Sequence, residues 1–151
     1  MGSTEFRTTL SWVGNDGTGT STRSYAKDGE LAAEGRPTIP TIPPDGTGGW
    51  SPEHLLLGSV SQCHMLWYLH LCARNGVVVE TYEDSATCRL EVTGSEGAVR
   101  DVALHARVGI SSGEVATAVE LFELAGEKCY VARSLAEPVG HTVEVSEVPP
   151  G

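Results

Sequence analysis

At 151 residues the chain is long enough for one domain with a real hydrophobic core, and residues 1–151 read as a single domain. The formal net charge of −10 argues against nucleic acid and anionic membrane as partners, because both select for lysine and arginine. The opening MGSTEFRTTL lacks the apolar core of a signal peptide, so the four cysteines are expected as reduced thiols in a cytoplasm rather than as a disulfide framework.

Glu5 to Val13 alternates, with Phe6, Thr8, Leu10 and Trp12 on one face, and predicts a strand. Gly14-Asn15-Asp16-Gly17 is turn chemistry, and Thr18 to Ala26 is expected to pair back as a second strand. Lys27-Asp28-Gly29 signals a hairpin turn into a third strand, Glu30 to Ala33. Arg36 to Trp50 holds four prolines and is expected to be an extended loop without regular structure.

Ser51 to Gly76 is the longest apolar run and predicts a helix. Ser51 suits the N-cap, Pro52 the first helical position and Glu53 the positive end of the dipole, while Arg74, Asn75 and Gly76 end it. Leu55, Leu56, Leu57, Val60, Met65, Leu66, Trp67, Leu69 and Leu71 leave little polar circumference, which predicts burial on all sides. Pro52 to Asn75 would span roughly 36 Å at about 1.5 Å per residue. A core this size covers that length poorly, so we expect a break near Gly58-Ser59 or a partner subunit over the remainder.

After Gly76, Val77 to Val79 opens a strand, and Tyr82 to Thr93 is another or its continuation, with a bulge or bend expected at Glu83-Asp84-Ser85. Gly94 to Gly97 turns the chain. Val99 to Ile110 places Val102, Leu104, Ala106, Val108 and Ile110 on one face and His105 and Arg107 on the other. Ser111-Ser112-Gly113-Glu114 fits a capping box, and the helix after it stripes Val115, Ala118, Phe122 and Ala125 before ending near Lys128. Val139 to Val148 is a last strand with Val143 and Val145 inward. The order βββ–α–ββ–α–β predicts an α+β fold of antiparallel sheet and two principal helices.

The chemistry centres on the thiols. Cys72, on the apolar helix, and Cys88, on a strand between Thr87 and Arg89, read as packing residues. Cys63 lies between the polar Gln62 and His64, and Cys129 follows Lys128 and precedes Arg133. Residue chemistry alone leaves these two open between packing and reactivity, which requires a nearby cation, donor or helix N-terminus. His64 follows Cys63 directly and points away from it on a helix, so it reads as packing or as a hydrogen-bonding support rather than half of a Cys–His dyad. Cys63-His64 with His54 or His70 lacks the spacing that sets metal ligands on one face, and no metal or cofactor is expected.

Two distant motifs are more specific. Pro52-Glu53-x-Leu55-Leu56 with Cys63 ten residues after Glu53, and Cys129-x-Val131-x-Arg133-Ser134-Leu135, resemble the OsmC/Ohr family of thiol peroxidases. The block from Ser61 to Ala73, with Tyr82-Glu83-Asp84 after it, is similar to one OsmC-like subgroup. The resemblance implies an α+β fold of antiparallel sheets on two principal helices, in an intertwined homodimer with active sites at the interface. It implies peroxiredoxin-like reduction of organic hydroperoxides in oxidative stress defence, with Cys63 peroxidatic and Cys129 resolving. A dithiol reductant, often a lipoylated protein in this family, would restore both thiols.

The resemblance also implies a thiolate-stabilising arginine held by Glu53. The position of that arginine is Lys27 here, and Arg23, four residues earlier, is the substitute we favour, since lysine lacks the bidentate fork. On an unbroken helix Glu53 and Cys63 stand about 15 Å apart along the axis, so Glu53 needs a break, an intervening arginine or a second subunit. The rival reading is a non-enzymatic module of the same fold that holds a small apolar ligand, with the cysteines as packing.

Overall fold

The computed structural model describes residues 2–151, in two compact units that meet in sequence at Leu55/Leu56. In the first, β1 (Thr9–Trp12), β2 (Gly29–Ala32) and β3 (Ile39–Thr41) form an antiparallel sheet in that order. Gly29 pairs with both Trp12 and Thr41, and a Cβ there would lie 2.6 Å from the Thr41 hydroxyl, so this crossing needs glycine.

Two expectations fail in this unit, and they compensate in the count of strands. Thr18 to Ala26 forms no strand. Asn15 and Asp16 instead turn the chain, with Asn15 Oδ1 accepting the N–H groups of Gly17 and Gly19, and Asp16 Oδ1 accepting both the backbone N–H and the hydroxyl of Thr18. Such local acceptors compete with a sheet ladder. The third strand arises instead at Ile39–Thr41, inside the proline-rich stretch expected to be irregular. It is an edge strand, where the N–H that Pro40 lacks is not needed, and the Pro40 carbonyl accepts Trp50 N–H at 2.9 Å.

Helix α1 (Pro52–Arg74) starts as its residues predict. Ser51 is buried, its hydroxyl accepts His54 N–H at 3.3 Å, and its carbonyl accepts Leu55 N–H. Gly76, at φ +71°, closes the other end, with Asn75 and Val77 both donating to the Cys72 carbonyl. The expected break at Gly58-Ser59 is absent. Gly58 is exposed and costs the helix only about 1 kcal/mol, while the Ser59 hydroxyl donates back to the Leu56 carbonyl at 2.7 Å without interrupting it. Burial on all sides is also not found. Only Val60, His64, Tyr68 and Cys72 are fully buried, an i, i+4 row, and Leu66 is 57% exposed.

In the second unit β4 (Val78–Thr93), β5 (Glu96–Ser112) and β6 (Gly140–Glu147) form one sheet in that order. β4 and β5 make a long antiparallel hairpin, whose irregularities fall at Val78/Val79, Val79/Thr81 and Thr87/Arg89. The expected bulge at Glu83-Asp84-Ser85 is therefore not there: strand alternation simply turns Glu83 outward and Asp84 inward. β6 lies parallel to β5, so this sheet is mixed rather than wholly antiparallel. Helix α2 (Val115–Lys128) connects the two, and a crossover of that length returns a strand in parallel. The predicted capping box does not form. β5 runs on to Ser112, Ser111 donates to Glu80 at 2.6 Å, and Glu114 caps α2 without a side-chain hydrogen bond.

The core of this unit is built from the predicted stripes. Val102, Leu104, Ala106, Val108 and Ile110 of β5 are all buried, as are Ala118, Leu121, Phe122 and Ala125 of α2. Tyr68 and Cys72 of α1 join the larger cluster, with Val143 and Val145 half-buried against it, as the alternation of the last strand predicts. Cys72 is therefore a packing residue. Cys88 faces inward on β4 against the smaller cluster around Val60, Val102 and Leu104.

Candidate active site

The last turn of α2 ends at Cys129, whose extended backbone terminates the helix, and a short 3-10 turn follows at Ala132–Ser134. Cys129 is fully buried, and the Ala132 N–H donates to its sulfur at 3.4 Å. Cys63, on α1, is half-buried, and its thiol neighbours that of Cys129. Burial pushes the Cys129 thiol up to about 11. The Ala132 N–H works against this, and the neighbouring Cys63 thiol adds to it. The fold thus joins cysteines 66 positions apart in sequence, since 129 − 63 = 66. An outer sulfur open to oxidant and a sealed one beside it are the parts needed for sulfenic acid formation followed by condensation to a disulfide.

Behind the two thiols lies an aromatic cluster. The His64 ring stands 4.2 Å from that of Phe122 and 5.4 Å from that of His141, centroid to centroid, and Tyr68 packs on Phe122 at 5.3 Å. Burial, then the neighbouring His141, lower His64 to about 4, against the opposing carboxylate of Asp84 and a hydrogen bond to the Phe122 backbone. His64 is therefore a neutral ring at neutral pH. Asp84 projects inward from β4, where it accepts the Ser61 hydroxyl at 2.7 Å and the Tyr82 hydroxyl at 3.1 Å. Burial raises Tyr82, and Asp84 raises it further, so this phenol stays protonated as a donor. The pair Ser61–Asp84 pins α1 to the sheet two residues before Cys63.

The remaining expected site residues all belong to the first unit. Arg23 is exposed in the turns before β2. Lys27 is exposed, with its ammonium 5.5 Å from the centroid of the Tyr25 ring. Glu53 is half-buried in the first turn of α1, and one of its carboxylate oxygens, Oε2, is buried without a hydrogen-bond partner. Helix α1 is unbroken from Glu53 to Cys63, a rise of about 15 Å along its axis.

Sequence reasoning overlooked His141 and Glu123. His141 Nε2 meets Glu123 Oε2 at 3.0 Å, and the ring lies flat on α2 where Gly126 has no side chain. The signal was present, since His141 shares the inward period-two face of Val143 and Val145. Among the described residues no group of three or more His, Cys, Asp or Glu side chains is placed to hold a metal ion. Among the described residues, too, no helix is long and apolar enough to cross a membrane.

Solved structures share this architecture. An OsmC-like protein of unknown function from Vibrio cholerae matches with a TM-score of 0.84 at 22% identity, over 94% of this chain and 100% of that one. An organic hydroperoxide resistance protein OsmC from Legionella pneumophila matches at 0.66 and 15%, over 97% and 99%. The organic hydroperoxide resistance protein OhrB of Bacillus subtilis matches at 0.58 and 17%, over 93% and 98%. At these identities the likeness is one of fold. No curated protein matches the chain in sequence. The family described as OsmC-like protein matches residues 44–144, a span that takes in α1, β4, β5, α2, the start of β6 and both neighbouring thiols, and on that match the chain belongs to the OsmC-like family.

Proposed function

We propose that the protein is a thiol peroxidase that reduces organic hydroperoxides in cytoplasmic oxidative stress defence. The observation that carries this reading is the half-buried Cys63 thiol beside the sealed Cys129 thiol. The Cys63 thiolate attacks the terminal peroxide oxygen, the O–O bond breaks, and the alkoxide takes up a proton and leaves as alcohol. Cys63 becomes a sulfenic acid. The Cys129 sulfur then displaces the hydroxyl, which leaves as water with the Cys129 proton, and a disulfide remains. An external dithiol, on the family's pattern a lipoylated protein, returns two electrons by exchange.

Arg23 supplies the positive charge that favours the Cys63 thiolate, and Glu53 holds the guanidinium. The unpartnered buried oxygen of Glu53 supports this assignment, since a guanidinium would satisfy it. Lys27 is the alternative cation. The active form is a homodimer, which would cover the apolar residues that α1 leaves exposed, such as Leu66.

Substoichiometric cumene hydroperoxide added to reduced protein tests the reading. Each equivalent should consume two thiols and leave a Cys63–Cys129 bridge in the peptide map. Cys63→Ser should abolish turnover, and Cys129→Ser should leave a sulfenic acid that dimedone traps. A Cys63→Ser variant as active as the parent would sink the peroxidase. A Cys63→Ser protein that still held an apolar ligand, with no turnover in either form, would mark the non-enzymatic module instead. Arg23→Ala should slow thiol oxidation at least about tenfold while Lys27→Ala leaves it near the parent rate. The reverse pattern assigns the charge to Lys27.

A further inference from the structure

A pocket of about 410 Å³ borders Cys129 on the side of α2 and β6, and Cys63 is not among the residues that line it. Val60, Leu135, Pro138 and Val139 give it apolar walls, and its size suits a small molecule. His64 lines it as well. That ring is 2% exposed and is held by a hydrogen bond to the Phe122 backbone, while Nε2 has no partner. A backbone carbonyl accepts only from a protonated nitrogen, so the ring proton sits on Nδ1 and Nε2 presents a lone pair. A buried acceptor left without a donor is unfavourable, and a bound group with a proton to give would relieve it.

We infer that this pocket receives the thiol reductant, which attacks the Cys129 sulfur of the oxidised protein with its S–H aligned by His64 Nε2. The inference rests on the peroxidase reading above. A new sulfur–sulfur bond forms between the reductant and Cys129, the Cys63–Cys129 bond breaks, and Cys63 leaves with the electron pair. The proton of the incoming thiol ends on the Cys63 sulfur. A second thiol, from the same dithiol or another molecule, then frees Cys129. Chemistry favours the same sulfur. Exchange expels the better leaving group, and burial makes Cys129, whose thiol stands at about 11, a poor one. Cys129 is otherwise sealed, so such an attack is open only to thiols small enough to enter the pocket.

The test begins with equimolar cumene hydroperoxide and a thiol count, which examines the peroxidase reading alone. The bridged protein is then mixed with β-mercaptoethanol, quenched at short times with iodoacetamide and mapped by peptide mass spectrometry. The expected product carries mercaptoethanol on Cys129 and the alkyl label on Cys63. A bridge that forms normally but yields mercaptoethanol on Cys63 overturns the inference and leaves the peroxidase standing. No bridge at all removes both. Ala136→Trp, at the pocket's exposed rim, should oxidise like the parent yet be reduced at least about tenfold more slowly, and an unchanged reduction rate refutes the docking site. His64→Leu should slow reduction about tenfold, with His64→Gln partly restoring it, because only the amide oxygen replaces the acceptor. Equal rates in the two variants refute the role of Nε2.

Discussion

Acid should unfold this protein early, and His64 should be the main single cause. Its ring sits at 2% exposure against Phe122 and His141, so most of its surface is cut off from water. In the unfolded chain it takes a proton at its ordinary value of 6.5, and in the folded one only near 4, chiefly through burial and secondarily through His141. Between those values the unfolded state binds more protons than the native state. Stability therefore falls as pH falls through this window, and it is flat with respect to this group well above 6.5. At pH 4.5 an unfolded histidine is almost fully protonated and a native one about a quarter so. The native state thereby loses about 2.5 kcal/mol relative to pH 7, a large share of a stability of roughly 5–15 kcal/mol. Urea unfolding at pH 7 and pH 4.5, at one protein concentration, gives the loss in the parent, and the same pair of curves for His64→Gln gives the loss without that titration. The difference between the two losses should be about 2.5 kcal/mol. If His64→Gln loses as much stability on acidification as the parent, the ring does not titrate as its surroundings require, and the reasoning is wrong.

Phe122→Ala should cost about 3–5 kcal/mol in guanidinium unfolding, because the ring is fully buried and carries the packing of His64, Tyr68 and His141. A loss under about 1 kcal/mol would mean that the cluster is not the core it resembles. Ser61→Ala should cost about 1–3 kcal/mol by removing the hydroxyl that Asp84 accepts at 2.7 Å, whereas Ser59→Ala should be near neutral, since that hydroxyl only bonds its own helix. Equal effects in thermal melts would refute the distinction. Gly126→Ala should destabilise even though alanine favours a helix by about 1 kcal/mol, because the new Cβ would lie 2.6 Å from the His141 ring and break its contact with Glu123. A raised melting temperature with unshifted His141 ring resonances would contradict this.

The two helices, the strands from β4 onward, the buried face of β5 and the stripe of α2 were legible because local periodicity decides which side chains share a face. The start and stop of α1 were legible for a similar reason, since Ser51 and Gly76 act on backbone groups within a turn of themselves. The missing strand at 18–26 was lost to the local acceptors Asn15 and Asp16, and other failures came where a long-range partner overrode a local signal. Ser111 and Ser112 read as a cap but were drawn into β5, and the proline-rich stretch gained an edge strand because β2 offered it a ladder. The parallel placement of β6 likewise followed from the crossover through α2 and not from its own alternation.

The residue types of the candidate site stood in the sequence, and the family motifs drew attention to Cys63 and Cys129. What no local pattern contains is that the end of α2 reaches α1 at Cys63, that His64 rather than a leucine faces the core, or that His141 lies against Gly126. Chain order fixes the identity of each side chain and the periodicity of its neighbours. Distance between residues 63 and 129 is set only when two helices and a sheet close on one another, because burial, which raises one thiol and keeps a histidine neutral, is a property of the packed whole.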